Sequence, residues 1–175
     1  WVTIDLEEAE IINKIEANKV EIDPEAFNLK KKINNIVLAL TNSAQDNNVN
    51  IHFEYDKHLP ENFIADQLKI SQILINLIGN SIKFTNNGDI WIRVYKIEQN
   101  DKIYTLRFEV EDNGIGISEE KQQNMFESFS QGSIQINRKY GGTGLGLSIV
   151  KGLIDILKGK IIVKSEIGKG TIFYF

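Results

Sequence analysis

Two asparagines and a lysine, Asn76, Asn80 and Lys83, recur about one helical turn apart in the segment NLIGNSIKFT, residues 76–85. On a helix they share one face, and the apolar residues of the segment occupy the other. Asparagine is a poor helix former because its amide competes for backbone hydrogen bonds. Amide oxygens are suited to Mg²⁺, which shares its ligand shell with phosphate oxygens. The row therefore indicates a site for metal and phosphate, and a solvated face of unusual composition is the alternative.

A carboxylate continues the apolar side of a strand pattern in LRFEVEDNGIG. Alternation along the strand places four residues on the core face: Leu106, Phe108, Val110 and Asp112. A buried carboxylate is costly without a donor, so we expect a backbone amide, a water or a ligand amine to donate to Asp112. An Asx turn in Asp-Asn-Gly is the structural alternative. The spacing of Gly114 and Gly116 would let the backbone approach a planar ligand closely.

A second glycine cluster, GGTGLG at residues 141–146, precedes a predicted helix over 145–157. Free backbone N–H groups at a helix start can face an anion, and the helix dipole favours the negative charge. The cluster lacks the lysine of a Walker A loop, and it does not follow a predicted strand as a dinucleotide-binding loop would. The sequence therefore predicts phosphate binding outside those two common folds.

The segment between the glycine clusters is polar, with Phe126 and Phe129 as its apolar contacts. Such a composition is typical of a loop that closes over a ligand. Arg138 and Lys139 stand directly before the second cluster, where they could reach a terminal phosphate. Ordinary surface charge is the alternative interpretation of both.

Composition excludes several other classes of site. The chain has 175 residues, no cysteine, two histidines and a net charge of −4. A nucleic-acid partner is disfavoured because such domains usually carry a basic surface, and thiolate metal sites are excluded. Neither His52 nor His58 lies in a motif. No apolar run is long enough for a membrane span, so we expect a cytoplasmic piece of a longer protein, without membrane contact of its own.

Hydrophobic periodicity predicts an α+β fold. Amphipathic helices are predicted over 28–46, 66–84 and 145–157, with Asp66 capping the second, and strands over 49–55, 89–97, 103–111, 160–165 and 171–175. The strands at 89–97 and 103–111 would form a hairpin through a turn at 98–101. A two-layer α/β sandwich, with a mixed, mostly antiparallel sheet covered on one face by three helices, buries all these apolar faces. A further helical pattern at 3–18 suits either a helix that pairs with another chain or an N-terminal arm.

In this order, the motifs resemble the ATP-binding catalytic domain of sensor histidine kinases, within the GHKL superfamily. The resemblance extends from about residue 20 to the last residue and includes five motifs. They are NLIGNSIKF (76–84) for the N box, DNGIG (112–116) for the first glycine box, FESF (126–129) for the F box, GGTGLG (141–146) for the second glycine box and GKGTIF (168–173) for the final glycine-Thr box.

The resemblance implies a Bergerat-type site for ATP and Mg²⁺. It implies that Asn80 binds Mg²⁺ with support from Asn76, and that Asp112 accepts a hydrogen bond from the adenine amino group beside Thr171. Lys83 and Arg138 would act on the phosphates, and Phe84 would line the ribose and adenine side. The remaining implied nucleotide-binding residues are Gly114, Gly116, Ile117, Phe126, Gly142, Thr143, Gly144, Leu145 and Gly146.

The same resemblance implies a division of the parent protein. Residues 1–19 would be the end of a dimerisation helix or a linker, and 20–175 the catalytic domain, with a flexible ATP lid at about 118–143. The family's phosphoacceptor histidine, followed by an acid on a helix, is absent from this sequence. The γ-phosphoryl group would therefore pass to a histidine on a dimerisation domain outside this chain, and then to a response regulator.

Two other functions remain open. A GHKL ATPase uses a glutamate one turn before the Mg-binding asparagine to activate water, but the residue here is Asn76, which cannot act as a base. A nucleotide-binding regulatory module without catalysis is the third possibility, and the intact motifs argue against it without excluding it.

Overall fold

The computed structural model describes residues 21–126 and 146–175. The helices of these segments are α1 (Leu29–Asp46), α2 (Gln67–Phe84), α3 (Glu119–Asn124) and α4 (Gly146–Ile156). The strands are β1 (Glu25–Asn28), β2 (Val49–Tyr55), β3 (Asn62–Ala65), β4 (Gly88–Asn100), β5 (Ile103–Asp112), β6 (Ile162–Glu166) and β7 (Gly170–Tyr174).

Five strands form the main sheet, in the order β2-β4-β5-β7-β6. The β2 and β4 strands are parallel, and the other three pairs are antiparallel. Strands β1 and β3 form a separate antiparallel pair. The sheet is therefore mixed and mostly antiparallel, as the sequence predicts.

Three amphipathic helices cover one face of this sheet. Helix α2 packs against α1, α4 and β5, which makes it the centre of the helical layer. Its buried stripe includes Ile73, Leu74, Leu77 and Ile78, all inaccessible to solvent. Each such side chain contributes roughly 1.5–3 kcal/mol by leaving water. The opposing sheet residues come from β4 and β5 and are fully or nearly fully buried: Ile90, Ile92, Val94 and Val110. The predicted two-layer architecture is confirmed.

Both long N-terminal helices begin at a side-chain cap. The Asn28 side chain accepts a hydrogen bond from the Lys31 backbone N–H at the start of α1. The Asp66 side chain does the same for Lys69 at the start of α2. The predicted Asp66 cap is thus confirmed, and it fixes where the helix that carries Asn76 and Asn80 begins.

Two features of the fold differ from the sequence predictions. The predicted hairpin is confirmed, but its turn does not span 98–101, because β4 continues to Asn100 and only Asp101 and Lys102 separate it from β5. A register shift between Lys96 and Glu98 breaks the alternation that would have revealed the longer strand. The short β1–β3 pair had no prediction, since four-residue strands carry little periodic signal. The helical pattern at 3–18 lies outside the described residues.

Candidate nucleotide-binding site

The Asp112 carboxylate lies inside the protein at the end of β5, with 6% of the residue exposed. Its Oδ2 accepts a hydrogen bond from the Ser81 hydroxyl at 2.9 Å, and its Oδ1 accepts one from the Gly114 backbone N–H at 3.0 Å. Burial raises the pKa of Asp112 above its ordinary value, while the Gly114 and Ser81 donors oppose the shift. Of the expected donors, the structure shows the backbone amide, in an Asx-type contact with Gly114, and it adds the Ser81 hydroxyl, which was not expected.

Ser81 has no counterpart among the sequence-predicted site residues. It follows Leu74 and Ile78 on the buried stripe of α2 and is itself 2% exposed. The available signal was a small hydroxyl residue in the middle of an apolar stripe, which requires a polar partner inside the protein. The sequence could not say that this partner was Asp112, 31 residues further along the chain.

Thr171 is directly opposite Asp112 in the pairing of β5 with β7, as the resemblance implies for two residues beside one base. Directly opposed residues of an antiparallel pair extend from the same face of the sheet. Thr171 is buried, with 6% exposed, and its hydroxyl lies 2.8 Å from the Ser165 hydroxyl on β6. Asp112 and Thr171, which we call the acceptor pair, thus lie side by side beneath α2.

The first glycine box packs against the protein's own backbone. A Cβ on Gly114 would overlap the Phe84 carbonyl oxygen at the end of α2. A Cβ on Gly116, where φ is +71°, would overlap the Glu166 carbonyl at the end of β6. The Ile115 backbone links both regions, donating to the Phe84 carbonyl and accepting from the Gly168 N–H. These glycines therefore join three segments of the fold, which is a structural requirement beside the predicted approach to a ligand.

The polar face of α2 runs from Gln72 to Lys83. The Asn76 Nδ2 donates to the Gln72 carbonyl at 3.0 Å, which leaves its Oδ1 turned toward the start of α4. A Cβ on Gly146 would lie 2.7 Å from that oxygen, so the N box and the end of the second glycine box are adjacent. Burial lowers the pKa of Lys83, whose Nζ lies 5.2 Å from the centre of the Phe84 ring.

The donor set on this face fits a magnesium ion shared with phosphate. The side-chain amide of Asn80 lies half-buried one turn beyond Asn76. It has no hydrogen bond to another described residue. Within residues 21–126 and 146–175, no cluster of three or more acidic, histidine or cysteine side chains could hold a metal by itself. Mg²⁺ commonly takes only one or two protein oxygens together with water and phosphate, so a single row of amides is sufficient.

Residues at and just before the predicted lid contact the last strands of the sheet. The Ile117 backbone N–H donates to the Ser165 hydroxyl at 2.8 Å. The Phe126 ring meets the Phe173 ring edge-on at 6.4 Å between centroids. Five other predicted site residues lie outside the described part of the chain: Arg138, Gly142, Thr143, Gly144 and Leu145.

Neither histidine is part of this site. His52 hydrogen-bonds to Asp89 at 2.7 Å and stacks on Trp91, on the sheet face away from the helices. His58 contacts Asp56 in the loop after β2. In the described part of the chain, no helix has the length and apolar character to cross a bilayer.

Residues 65–175 match the family described as histidine kinase-, DNA gyrase B-, and HSP90-like ATPase. The chain belongs to this ATPase family. The predicted two-layer fold is confirmed. The resemblance of the five sequence motifs to this family is confirmed as well.

Several histidine kinases are similar to this chain along almost the whole length of the chain. It is 43% identical over 164 residues to hybrid signal transduction histidine kinase B of Dictyostelium discoideum, covering 93% of this chain and 8% of that protein. It is 36% identical over 163 residues to the histidine-protein kinase BarA of Escherichia coli, covering 93% of this chain and 18% of that one. The chain thus spans less than a fifth of either relative.

Solved histidine kinases share the fold. Full-length ShkA in complex with AMPPNP matches with a TM-score of 0.84 and 26% identity, covering 97% of this chain and 34% of ShkA. ThkA in complex with the response regulator TrrA matches with a TM-score of 0.69 and 29% identity, covering 97% of this chain and 47% of ThkA.

Proposed function

We propose that this ATPase-family domain binds Mg-ATP and donates the γ-phosphoryl group to a histidine on a dimerisation domain outside the chain. One observation carries the proposal. The buried carboxylate of the acceptor pair, Asp112, lies under α2, while the polar row of Asn76, Asn80 and Lys83 lies on that same helix. A nucleobase at Asp112, with phosphates and a metal at the polar row, would suit a nucleoside triphosphate that extends along α2.

Each end of the site has a distinct task. Asp112 accepts from the adenine amino group beside Thr171, and Phe84 lines the ribose and adenine side. Asn80 and Asn76 hold Mg²⁺, which would neutralise charge that develops on the phosphates. Lys83 contacts a phosphate, Arg138 reaches the terminal one, and Gly142, Gly144 and Gly146 supply backbone N–H groups. The protein contributes positioning and charge stabilisation, the usual means of phosphoryl transfer.

The proposed phosphoryl transfer needs no reactant other than ATP and the acceptor histidine. The bond between the γ-phosphorus and the bridging oxygen breaks, a phosphorus–nitrogen bond forms with the imidazole, and ADP leaves. The imidazole proton passes to a base on the acceptor domain. Residues 1–19 would lead to that domain, 20–175 form the catalytic domain and 118–143 its lid. The phosphorylated histidine would then supply a response regulator, the kind of partner that ThkA is bound to. We place the domain in the cytoplasm, where ATP is available.

The ATPase alternative fails at a single residue. Water attack on ATP requires a base near the γ-phosphate, and the amide at Asn76 cannot accept a proton in the way a carboxylate does. A purely regulatory module would bind ATP through the same buried Asp112 and its donors, so only an experiment that follows the phosphoryl group separates it from the kinase.

Isothermal titration calorimetry of ATP and ADP, with and without Mg²⁺, tests the binding half of the proposal. Wild type should bind ATP more tightly with Mg²⁺. Asp112→Asn should abolish binding, and Asn80→Ala should remove the dependence on Mg²⁺. Two exposed positions provide matched controls, Asp46→Asn and Asn35→Ala, and both should bind like wild type. A folded wild-type domain that binds neither nucleotide would contradict the proposal.

Phosphoryl transfer needs a second experiment. ATP labelled at the γ-phosphate should label a separately supplied dimerisation domain from the parent protein, and its His→Ala variant should stay unlabelled. Binding of Mg-ATP without any transfer would favour the regulatory module. Release of labelled phosphate without labelling of the acceptor would favour the ATPase.

A further inference from the structure

Three residues form a row across three neighbouring strands. Asp112 on β5 pairs with Thr171 on β7, and Thr171 pairs on its other side with Ser165 on β6. All three extend from the face that α2 covers, since paired residues of antiparallel strands share a face. Ser165 is therefore the neighbour of Thr171 on the side that faces away from Asp112.

The Ser165 hydroxyl has three polar neighbours, each at 2.8 Å. They are the Ile117 backbone N–H, the Gly170 carbonyl oxygen and the Thr171 hydroxyl. A hydroxyl has one proton to donate and two lone pairs that can accept. Three contacts therefore use its whole hydrogen-bonding capacity, and the direction of each can be worked out.

Two of the three contacts leave no choice of direction. The Ile117 N–H can only donate, so Ser165 accepts there. The Gly170 carbonyl can only accept, so Ser165 gives its single proton there. With its proton used, Ser165 must accept in the third contact, and the Thr171 hydroxyl must donate. The Thr171 oxygen then has only lone pairs for any other neighbour.

The amide of Gln122 holds this arrangement in place. Its Nε2 donates to the Ile117 carbonyl at 2.7 Å and to the Ser165 carbonyl at 3.0 Å. Helix α3 thereby fixes the distance between the first glycine box and β6, so the Ile117 N–H stays directed at the Ser165 hydroxyl. Rotation of that hydroxyl would break at least one of its three contacts.

We propose that Ser165 is a positioning residue that commits the Thr171 hydroxyl to act only as an acceptor, so that the site selects a 6-amino purine over a 6-keto purine. This inference rests on the proposed binding of ATP. The acceptor pair then offers lone pairs from both Thr171 and Asp112. An exocyclic amino group can donate to them, whereas a carbonyl oxygen at the same position meets lone pairs and remains unpaired.

The affinities of the full chain for ATP and ITP test this assignment, since the two nucleotides differ only at the 6-position and the adjoining N1 proton. Wild type should bind ATP more tightly. Ser165→Ala removes the acceptor for the Thr171 proton and lets that hydroxyl turn to donate to a keto oxygen. The ratio of ATP to ITP affinity should then fall about two- to tenfold, the effect of one hydrogen bond.

Further variants separate a positioning role of Ser165 from general damage to the fold. Ser165→Thr keeps a hydroxyl and should retain the wild-type ratio, as should Ser43→Ala at an exposed serine of α1. Thr171→Val should lower the ratio by itself, and adding Ser165→Ala to it should cause no further change. If Ser165→Ala does not fold, Ser165→Cys makes the same test, because a thiol is only a weak acceptor for the Thr171 proton and the ratio should again fall.

Two results would overturn the inference while leaving ATP binding intact. Ser165→Ala could weaken ATP and ITP by the same factor, which is the behaviour of a structural residue. It could also lower the ratio equally with and without Thr171→Val, so that Thr171 would not transmit the effect. Wild type that binds neither nucleotide would instead overturn the proposed function itself.

Discussion

At the scale of single residues, the site depends on one carboxylate kept inside the protein by donors from Ser81, Gly114 and the Thr171 backbone. Asp112 is 6% exposed, and it would be strongly disfavoured without the Ser81 hydroxyl and the Gly114 N–H. With the Thr171 backbone N–H, these donors use about three of the four acceptor sites of the carboxylate, and one is left for a ligand. Asp112 was predicted from its place in the strand pattern, whereas its partner Ser81 depends on how α2 lies across β5.

Ser81→Ala should therefore destabilise the domain by about 1–3 kcal/mol at neutral pH, because it leaves a buried carboxylate short of a donor. Ser71→Ala is the matched control, since Ser71 is also buried on α2 but, among the residues that the structure describes, its hydroxyl bonds only to the Gln67 carbonyl one turn earlier. That control should cost less than about 0.5 kcal/mol. Urea denaturation measures both, and equal losses would show that the Asp112 contact adds nothing.

The cost of Ser81→Ala should also depend on pH. Because burial raises the pKa of Asp112, the folded protein binds this proton more tightly than the unfolded chain does. The resulting stabilisation is complete below the ordinary carboxyl pKa of about 3.9 and is lost as the pH rises through the folded value. Losing the hydroxyl donor raises the folded value further, so Ser81→Ala should cost more at pH 7 than at pH 4. A pH-independent cost would contradict this prediction.

At the scale of elements, α2 combines two faces with different tasks. Its apolar stripe packs on α1, α4 and β5, and its other side carries the row of Asn76, Asn80 and Lys83. A helix that serves both the core and the site must start at a defined residue, since a shift of one residue would rotate it by 100°. Asp66 supplies that start. Its side chain accepts from the Lys69 N–H and the Asp23 N–H and forms an ion pair with the Lys69 amine.

Asp66→Asn should make the domain less sensitive to acid. Burial raises the pKa of Asp66, but the Lys69 amine and the Asp23 and Lys69 N–H groups outweigh it and hold the pKa below its ordinary value. A depressed carboxyl pKa stabilises the fold above about pH 3.9, and that stabilisation is lost as the pH falls through the folded value. The variant should therefore lose about 1–3 kcal/mol at pH 7 and less at pH 3, by urea denaturation.

Asn28→Ala at the start of α1 is the matched control for this element. Asn28 caps its helix in the same way, but it is neutral and its bond to the Lys31 N–H is exposed. Its Nδ2 also donates to the exposed Glu61 carboxylate at 3.1 Å, but such a solvent-screened contact adds little. The loss of Asn28 should therefore cost about 1 kcal/mol with almost no dependence on pH. If Asp66→Asn showed the same flat dependence on pH, the ion pair with Lys69 would contribute nothing measurable.

At the scale of the whole molecule, the site requires contacts between segments far apart in sequence. The first glycine box meets the end of α2 through Phe84, the end of β6 through Glu166 and the turn after β6 through Gly168. This convergence brings Thr171, close to the C-terminus, beside Asp112. Glycine at position 116 is required both by its φ of +71° and by the space taken by the Glu166 carbonyl.

Gly116→Ala should cost more stability than Gly168→Ala. Both glycines have positive φ, +71° and +78°, so both variants bear a backbone strain of roughly 1–2 kcal/mol. A Cβ at Gly168 meets no atom within 4 Å, whereas one at Gly116 overlaps backbone that cannot move aside easily. We expect a loss above about 3 kcal/mol for Gly116→Ala, together with weaker ATP binding. Thermal denaturation measures the stability of both variants. Similar losses of stability would mean that the backbone around Glu166 moves aside at little cost.

Binding of Mg-ATP should raise the melting temperature of the whole domain. At a concentration of 100 times Kd, a ligand that binds only the folded state stabilises it by about 2.7 kcal/mol. For a chain of this size, that corresponds to roughly 5–11 °C. Differential scanning fluorimetry should show the shift in wild type and in Asn35→Ala, and a smaller one in Asn80→Ala. An unchanged melting temperature at saturating Mg-ATP would contradict the proposed site.

The sequence by itself determined the long elements and the residues with unusual chemistry. Periodicity locates α1, α2 and α4, and Asn76, Asn80 and Asp112 stand out because each places a polar group where helix or strand chemistry disfavours it. These are local properties, set by side-chain spacing along one element. The tertiary structure alone decided the extended β4–β5 hairpin, the β1–β3 pair, and the partners Ser81 and Ser165. Their signals depend on pairing or packing between distant segments, and a serine that bonds to a residue dozens of positions away resembles any other serine until the chain has folded.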